Sequence, residues 1–482
     1  MDISLNGLPK QLYINGQWRD ASDGKSFEVL NPATEEVLAS VADGSVQDGL
    51  DAVGAAYAAG PAWAATAPRQ RGEILRRAFE LMMENQEALA RLITQESGKA
   101  LSEARGEVAY AAEFLRWFGE EAVRVIGEVS TSPSGANRIM VLRQPVGVAV
   151  FVTPWNFPAA MATRKIGAAL AAGCTVVLKP AKETPLTALA MAAIFEQAGV
   201  PAGVVNVLST RRTAKAIESM LNDPRVRKFS FTGSTETGRL LLSQAAQTVV
   251  KCSMELGGNA PFIVFADADL EQAVAAAMVA KMRNGGESCT AANRFYVEKP
   301  IAEEFTRRFT EAMAEVRMGD GLGEGVQLGP MVNASTRAKL AELVDDAVAQ
   351  GARLCTGGKI PSGKGFFYPP TVLCDVAADA RVLKEEIFGP VAPIATFESE
   401  EQVIALANDT EFGLVAFVHT RDLAKAMRVA ERIESGMVGI NRGMVADPAA
   451  PFGGWKQSGV GREGAHEGLL EYLESKYIAV SW

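Results

Sequence analysis

Val146-Gly147-Val148-Ala149-Val150-Phe151-Val152-Thr153-Pro154-Trp155-Asn156-Phe157-Pro158 opens on an apolar, β-branched run and ends in a polar and aromatic loop held between two prolines. A short continuous apolar run bounded by turn signals reads as a strand buried on both faces. Working outward from it, residues 164–172, 185–198, 213–221 and 236–247 carry helical spacing. The runs 175–178, 204–208, 228–231 and 249–254 repeat the strand texture. Strand and helix in strict alternation predict a doubly wound parallel sheet with right-handed crossovers.

A second alternating series begins at 261–265 and runs to about residue 448, with strands expected at 294–297, 366–373, 392–397, 414–419 and 438–441. The fold class is therefore α/β with two doubly wound domains. Ahead of them, 12–18 reads as a short strand with a turn at Asn15-Gly16. From residue 48 to about 119 the apolar residues recur at helical spacing, as in Ile74, Leu75, Ala78, Leu81 and Met82. Residues 123–129 and 138–143 read as a hairpin. The tail, 476–482, alternates like an edge strand that pairs with that hairpin or with a neighbouring subunit.

The chain has 482 residues, too many for one hydrophobic core. Apolar residues make up 48% and charged residues 22%, which excludes disorder. A net charge of −9 without a basic block argues against nucleic acid. The longest apolar stretch, 166–178, is too short for a membrane span, and residues 1–16 lack a signal-peptide pattern. A cytoplasmic location is the expectation. The five cysteines are scattered with no CxxC pair, so neither a disulfide framework nor a metal site is expected. Only two histidines, His419 and His466, are available, so acid–base work falls to carboxylates.

Met254-Glu255-Leu256-Gly257-Gly258 and Asn284-Gly285-Gly286-Glu287-Ser288-Cys289 each set a reactive side chain beside glycines, where backbone can approach a substrate closely. A thiol needs an activating group. Glu255 serves either as that group or as the activator of a water that releases a thioester. Read alone, a cysteine is commonly a small buried residue and a glutamate beside glycines a helix-end feature. The Thr153–Pro158 loop changes the balance, because it follows a parallel strand at the end where such sheets bind ligands. The amide of Asn156 there is a candidate donor to an oxyanion.

Together these segments resemble the aldehyde dehydrogenase superfamily. In order along the chain they are Leu12 to Gly16, the Thr153 loop, Leu178-Lys179-Pro180-Ala181, Phe231-Thr232-Gly233-Ser234 through Gly238, Glu255 to Gly258, the Cys289 loop, Glu386-Ile387-Phe388-Gly389-Pro390 and Pro451-Phe452-Gly453-Gly454. The resemblance implies a dinucleotide-binding domain at 1–121 and 144–253, with 449–468 packing back on it. It also implies a catalytic domain at 254–448 and oligomerisation segments at 122–143 and 469–482, giving a homodimer or homotetramer. The Cys289 thiolate then attacks the aldehyde, and the Asn156 amide and the Cys289 N–H hold the oxyanion. Hydride passes to the nicotinamide, and Glu255 activates the water that hydrolyses the thioester. Lys179, which belongs to both the catalytic and the cofactor sets, holds the adenosine ribose. Trp155 and Ser234 line the pyrophosphate, Glu386 and Phe388 position the nicotinamide end, and Thr153 and Gly233 belong to the same cofactor-binding set.

Two finer expectations follow. Lys182 stands where many NAD-using relatives have Glu, and Arg211 and Arg212 replace a glycine-containing turn, so NADP is preferred over NAD. The alternative is that all three are solvated cations. Within the superfamily the chain is most similar to succinate-semialdehyde dehydrogenases, notably at Thr163-Arg164-Lys165, which implies that Arg164 and Arg283, with Phe452, receive the distal carboxylate of the substrate. Alternatively each arginine is an internal ion pair. Ala446 replaces a serine common in that subgroup, beside Asp447, which leaves glutarate semialdehyde or another ω-carboxy aldehyde open. Ala291 stands where some members have a second cysteine, so no redox switch is expected at the nucleophile. The competing readings are a CoA-acylating enzyme, against which Glu255 counts, and a non-catalytic structural relative, against which the retained Cys289, Glu255 and Asn156 count.

Overall fold

The computed structural model describes residues 3–481. Five parallel strands form the middle of an eight-stranded sheet, in the spatial order Val205–Val207, Thr175–Lys179, Val148–Val152, Val226–Thr232 and Lys251–Glu255. Every residue of Val148–Val152 and Thr175–Lys179 is buried, as an all-parallel sheet covered on both faces requires. The chain winds one way from Val148–Val152 and then returns to add Val226–Thr232 on its other side. The loops after those two strands therefore flank a topological switch point, where α/β sheets open a crevice. Helix Ala160–Ala172, which follows the first of them, is wholly buried and rich in Ala, so it can lie close to its neighbours.

Antiparallel additions complete this sheet. Leu12–Ile14 turns through Asn15 and Gly16, both at positive φ, into Gln17–Arg19, the Asn-Gly hairpin expected from the sequence. At the opposite edge Gly459–Val460 pairs with Lys251–Glu255. The second sheet has six parallel strands, in the order Thr371–Cys374, Val391–Phe397, Ala292–Glu298, Ala260–Val264, Val415–His419 and Met437–Ile440. Arg353–Thr356 lies antiparallel on the first of them.

Several expectations shift. The first arm of the hairpin begins at Glu128, not at residue 123. Ala122–Arg124 is instead a 3-10 turn that continues helix Leu101–Glu121, and Arg124 is tied back to Glu121 at 2.6 Å. The strand expected at 366–373 is confined to Thr371–Cys374, because Pro369 and Pro370 have no N–H to give to a ladder. The tail strand is longer than expected, Leu473–Val480, and pairs within the chain with Arg138–Pro145; residue 482 lies outside the described residues. A small sheet of Ser26–Leu30 and Val37–Ala42 was not anticipated, although its alternating burial follows the period of two along Ser26-Phe27-Glu28-Val29-Leu30.

One cysteine expectation is corrected as well. Cys355 and Cys374, on neighbouring antiparallel strands, are joined as a disulfide. They are 19 residues apart and belong to no spacing motif, so only the strand register brings them together. Cys174, Cys252 and Cys289 are free thiols. Among the described residues no helix is long and apolar enough to cross a membrane, and no group of His, Cys, Asp and Glu could hold a metal ion.

Candidate active site

A cleft of ≈ 210 Å³ opens at the switch point. Trp155 and Asn156 from the Thr153 loop, Gly233 and Ser234 from the loop after Val226–Thr232, Cys289, Glu386 and Phe388 all line it. Sequence segments more than 200 positions apart are thus brought around one space. Ser234 caps helix Thr235–Ala245, its hydroxyl accepting from Thr237 N–H, so the helix start with its unsatisfied N–H groups belongs to the cleft wall. Trp155 and Phe388 meet edge to face at 5.3 Å. Phe388 is held at a φ of 54°, a conformation a bulky side chain seldom adopts and one that concentrates at functional sites.

Two close backbone approaches set the Cys289 loop. A Cβ at Gly258 would lie 2.3 Å from the Cys289 carbonyl oxygen, and one at Gly286 would lie 2.2 Å from that of Gly389. Glycine is required at both because no side chain fits. Gly286 and its neighbours Asn284 and Gly285 all have positive φ, a turn that lifts the chain into the Cys289 loop. The Glu386 carboxylate accepts the Gly258 N–H at 3.0 Å, joining the Glu255 turn to the Phe388 loop. Burial pushes Glu386 up to about 7, against the pull of that N–H.

Asn156 is buried and donates through Nδ2 to the Glu287 carbonyl at 3.0 Å. Asn284 reaches the same carbonyl at 2.9 Å and the Asn156 carbonyl at 3.0 Å. Burial raises the Cys289 thiol to about 12, opposed by the nearby Arg164 and Arg283. Glu255 ends strand Lys251–Glu255 behind Leu256 and Gly257, which line the cleft. Its Oε2 is buried without a hydrogen-bond partner. Burial, reinforced by Glu463, raises it well above the ordinary carboxylate range, against Arg164 and Lys165.

The two arginines differ. Arg164 is fully buried, with Nε 2.5 Å from Glu463 Oε2 and its guanidinium 4.0 Å over the Phe452 ring. The ion-pair alternative therefore holds for one side of this group, while Nη2 has no hydrogen-bond partner. Lys165 binds the other oxygen of Glu463. Arg283 has no carboxylate within salt-bridge distance among the described residues; it lies over Phe157 at 5.0 Å and Tyr110 at 5.7 Å. Glu463, Lys165, Asn284 and Glu287 were not anticipated as site residues. Lys165, Asn284 and Glu287 lie inside quoted motifs, whereas nothing around Glu463 marks it.

The remaining positions lie elsewhere. Lys179 is buried at the end of its strand, where burial lowers it to about 8, and Thr153 N–H donates to the Lys179 carbonyl at 3.2 Å. Neither lines the cleft. Lys182 and Arg211 line a different one, of ≈ 440 Å³, together with Glu183. Arg212 is committed to Asp23 at 2.6 Å.

The sequence profile described as the aldehyde dehydrogenase family matches residues 18–478. Glutarate-semialdehyde dehydrogenase of Pseudomonas putida is 49% identical over 98% of each chain. The NADP(+) succinate-semialdehyde dehydrogenase of Escherichia coli is 50% identical, again over 98% of each. A crystal structure of an E. coli NADP-dependent enzyme superposes with a TM-score of 0.98 at 49% identity, covering 99% of both chains. The chain belongs to the aldehyde dehydrogenase family, and its chemistry is the oxidation of an aldehyde with a nicotinamide dinucleotide as hydride acceptor.

Proposed function

We propose that the substrate is a short aldehyde with a terminal carboxylate, succinate semialdehyde first, oxidised to the diacid through a thiohemiacetal and a thioester on Cys289. One observation carries this reading. Cys289 and Asn156 line one cleft, and Cys289 lies within electrostatic reach of Glu255, whose Oε2 has no hydrogen-bond partner, and of Arg283, which has no carboxylate partner among the described residues. The Cys289 thiol gives its proton to solvent water, and Sγ bonds to the carbonyl carbon as the C=O π pair moves onto the oxygen. The second N–H of the Asn156 amide and the Cys289 N–H receive the developing oxyanion. When bound, the dinucleotide supplies the hydride acceptor. Glu255 then takes a proton from the water that cleaves the thioester. Arg283, and Nη2 of Arg164, draw the distal carboxylate. Glutarate semialdehyde is the second reading, supported by the near-equal identity, 49% and 50%, to relatives bearing either name.

The residues fit a dinucleotide: Ser234 at a helix start and Trp155 suit a pyrophosphate, and Glu386 and Phe388 suit the nicotinamide end. NADP is the favoured form, because Lys182 and Arg211 share one cleft and are held only loosely, at 3.8 Å from Glu183 and from Asp43, while Arg212 is paired with Asp23 at 2.6 Å. The assignment of 1–121, 144–253 and 449–468 to cofactor binding and 254–448 to catalysis belongs to the same proposal. So does association into a dimer or tetramer through 122–143 and 469–482, where Val129 and Tyr477 stand exposed on the three-stranded sheet. A panel of aldehydes with and without a terminal carboxylate, assayed with each cofactor, tests the reading. A preference for uncharged aldehydes contradicts the substrate, and a strong NAD preference contradicts the cofactor.

A further inference from the structure

A buried ion pair that no step above uses lies against the loop bearing Asn156. Lys99 Nζ is 2.6 Å from Glu107 Oε2 and 2.5 Å from the Asn156 carbonyl oxygen, and it stands 4.5 Å over the Phe157 ring. The other carboxylate oxygen of Glu107, Oε1, accepts the N–H of Ala159 at 2.9 Å and of Ala160 at 3.4 Å. One ammonium thus grips the peptide carbonyl of Asn156, and one carboxylate grips the N–H groups three and four residues on, where helix Ala160–Ala172 starts. Both side chains are essentially excluded from solvent.

The anchor of Lys99 is itself rigid. Gly98, at a φ of 88°, ends helix Gln86–Ser97, and a Cβ at Gly329 would fall 1.8 Å from the Gly98 carbonyl oxygen. Leu101 N–H donates to the Gly321 carbonyl at 2.9 Å. Lys99 therefore reaches the Asn156 loop from a backbone locked against the 321–329 segment. A buried pair of charges is a costly way to gain stability alone, since apolar residues of similar size often do as well. What the pair does supply here is a fixed height and direction for a single peptide.

We propose that Lys99 and Glu107 are positioning residues that hold the backbone of Asn156 so that its side-chain amide meets the oxyanion formed on Cys289. The inference rests on the reading of Asn156 as the oxyanion donor. A misplacement of order 1 Å at such a group costs about 10²-fold in rate, whereas Ser234, Glu386 and Phe388, on the cofactor side of the cleft, sit on segments that Lys99 and Glu107 do not touch.

The test is a double-mutant cycle on the full chain with succinate semialdehyde and NADP+, using Lys99→Met, Asn156→Ala and the combination. Lys99→Met is expected to lower kcat by about 10²-fold with the KM for NADP+ changed less than about twofold. In the Asn156→Ala background the same change is expected to cost less than about twofold, because the group it positions is gone. Lys99→Met/Glu107→Gln, which removes both buried charges together, guards against misfolding from an orphaned carboxylate and is expected to lose kcat as Lys99→Met does. The same fold-loss in both backgrounds, or wild-type kcat in Lys99→Met/Glu107→Gln, overturns the inference. Wild-type kcat in Asn156→Ala alone overturns the donor reading and the inference with it, and so separates the two failures.

Discussion

Asn156 donates its side-chain amide to the carbonyl of Glu287, two residues before Cys289, at 3.0 Å. That bond uses one of the two hydrogens on Nδ2 and aims the other from a fixed position beside the nucleophile. Preorganisation of this kind is what makes a donor effective on charge that exists only in the transition state. Asn156→Ala is expected to reduce kcat by about 10²–10³-fold while leaving cofactor binding within about twofold. Stopped-flow measurement of the reduced-nicotinamide signal checks it; an unchanged amplitude and rate would remove Asn156 from the mechanism.

The raised thiol of Cys289 gives a second outcome. Only the thiolate is alkylated, and burial holds the group at about 12. Iodoacetamide inactivation of the cofactor-free protein should therefore quicken by roughly tenfold per pH unit, with no plateau up to about pH 9. Arg283 works to lower this value, so Arg283→Gln raises it, leaves less thiolate, and slows alkylation at each pH. A plateau near neutral pH would show that another group stabilises the thiolate at rest.

Arg283 also separates carboxylated from neutral aldehydes. With no carboxylate partner of its own among the described residues, it can give a bidentate grip to the substrate. Arg283→Gln should lower kcat/KM for succinate semialdehyde by about 10²-fold, corresponding to a charge-assisted pair of roughly 3 kcal/mol. The value for an uncharged aldehyde of like length should change only a few-fold. Equal losses on both substrates would mean that Arg283 supports the fold or the nucleophile rather than the carboxylate.

Glu463 makes a prediction about stability. Burial acts to raise this carboxyl, but Lys165 and Arg164 prevail and hold it below the ordinary value. Its contribution is thus present above the unfolded value of about 4.3 and is lost as pH falls through the lower, folded value. Glu463→Gln leaves two buried cations without their counter-charge and should cost about 3–5 kcal/mol. The acid limb of the Tm profile should flatten in the variant. A variant as stable as the parent at neutral pH, with the same acid limb, would contradict this.

Much of this site is legible in the sequence because its parts sit in loops whose composition is constrained by backbone geometry. Gly258 and Gly286 mark close approaches that exclude any side chain, and the run 146–158 sets a strand directly before the Asn156 loop. Partners chosen by tertiary packing are not legible. Nothing local ties Glu463 to Lys165 across 298 positions, or Lys99 to the Asn156 carbonyl across 57. Cys355 and Cys374 likewise meet only through a strand register. The boundary errors follow the same division, since Pro369-Pro370 stops a ladder that hydropathy alone would extend.

The most direct test of the account is to trap the acylated nucleophile. Glu255→Gln removes the carboxyl proposed to activate water while leaving Cys289 and Asn156 in place, so succinate semialdehyde and NADP+ should yield a burst of NADPH and an arrested thioester. Intact-mass and peptide mass spectrometry should then find a succinyl group on Cys289 in amounts matching the burst. Steady turnover in this variant, or an acyl group on any residue other than Cys289, would contradict the account.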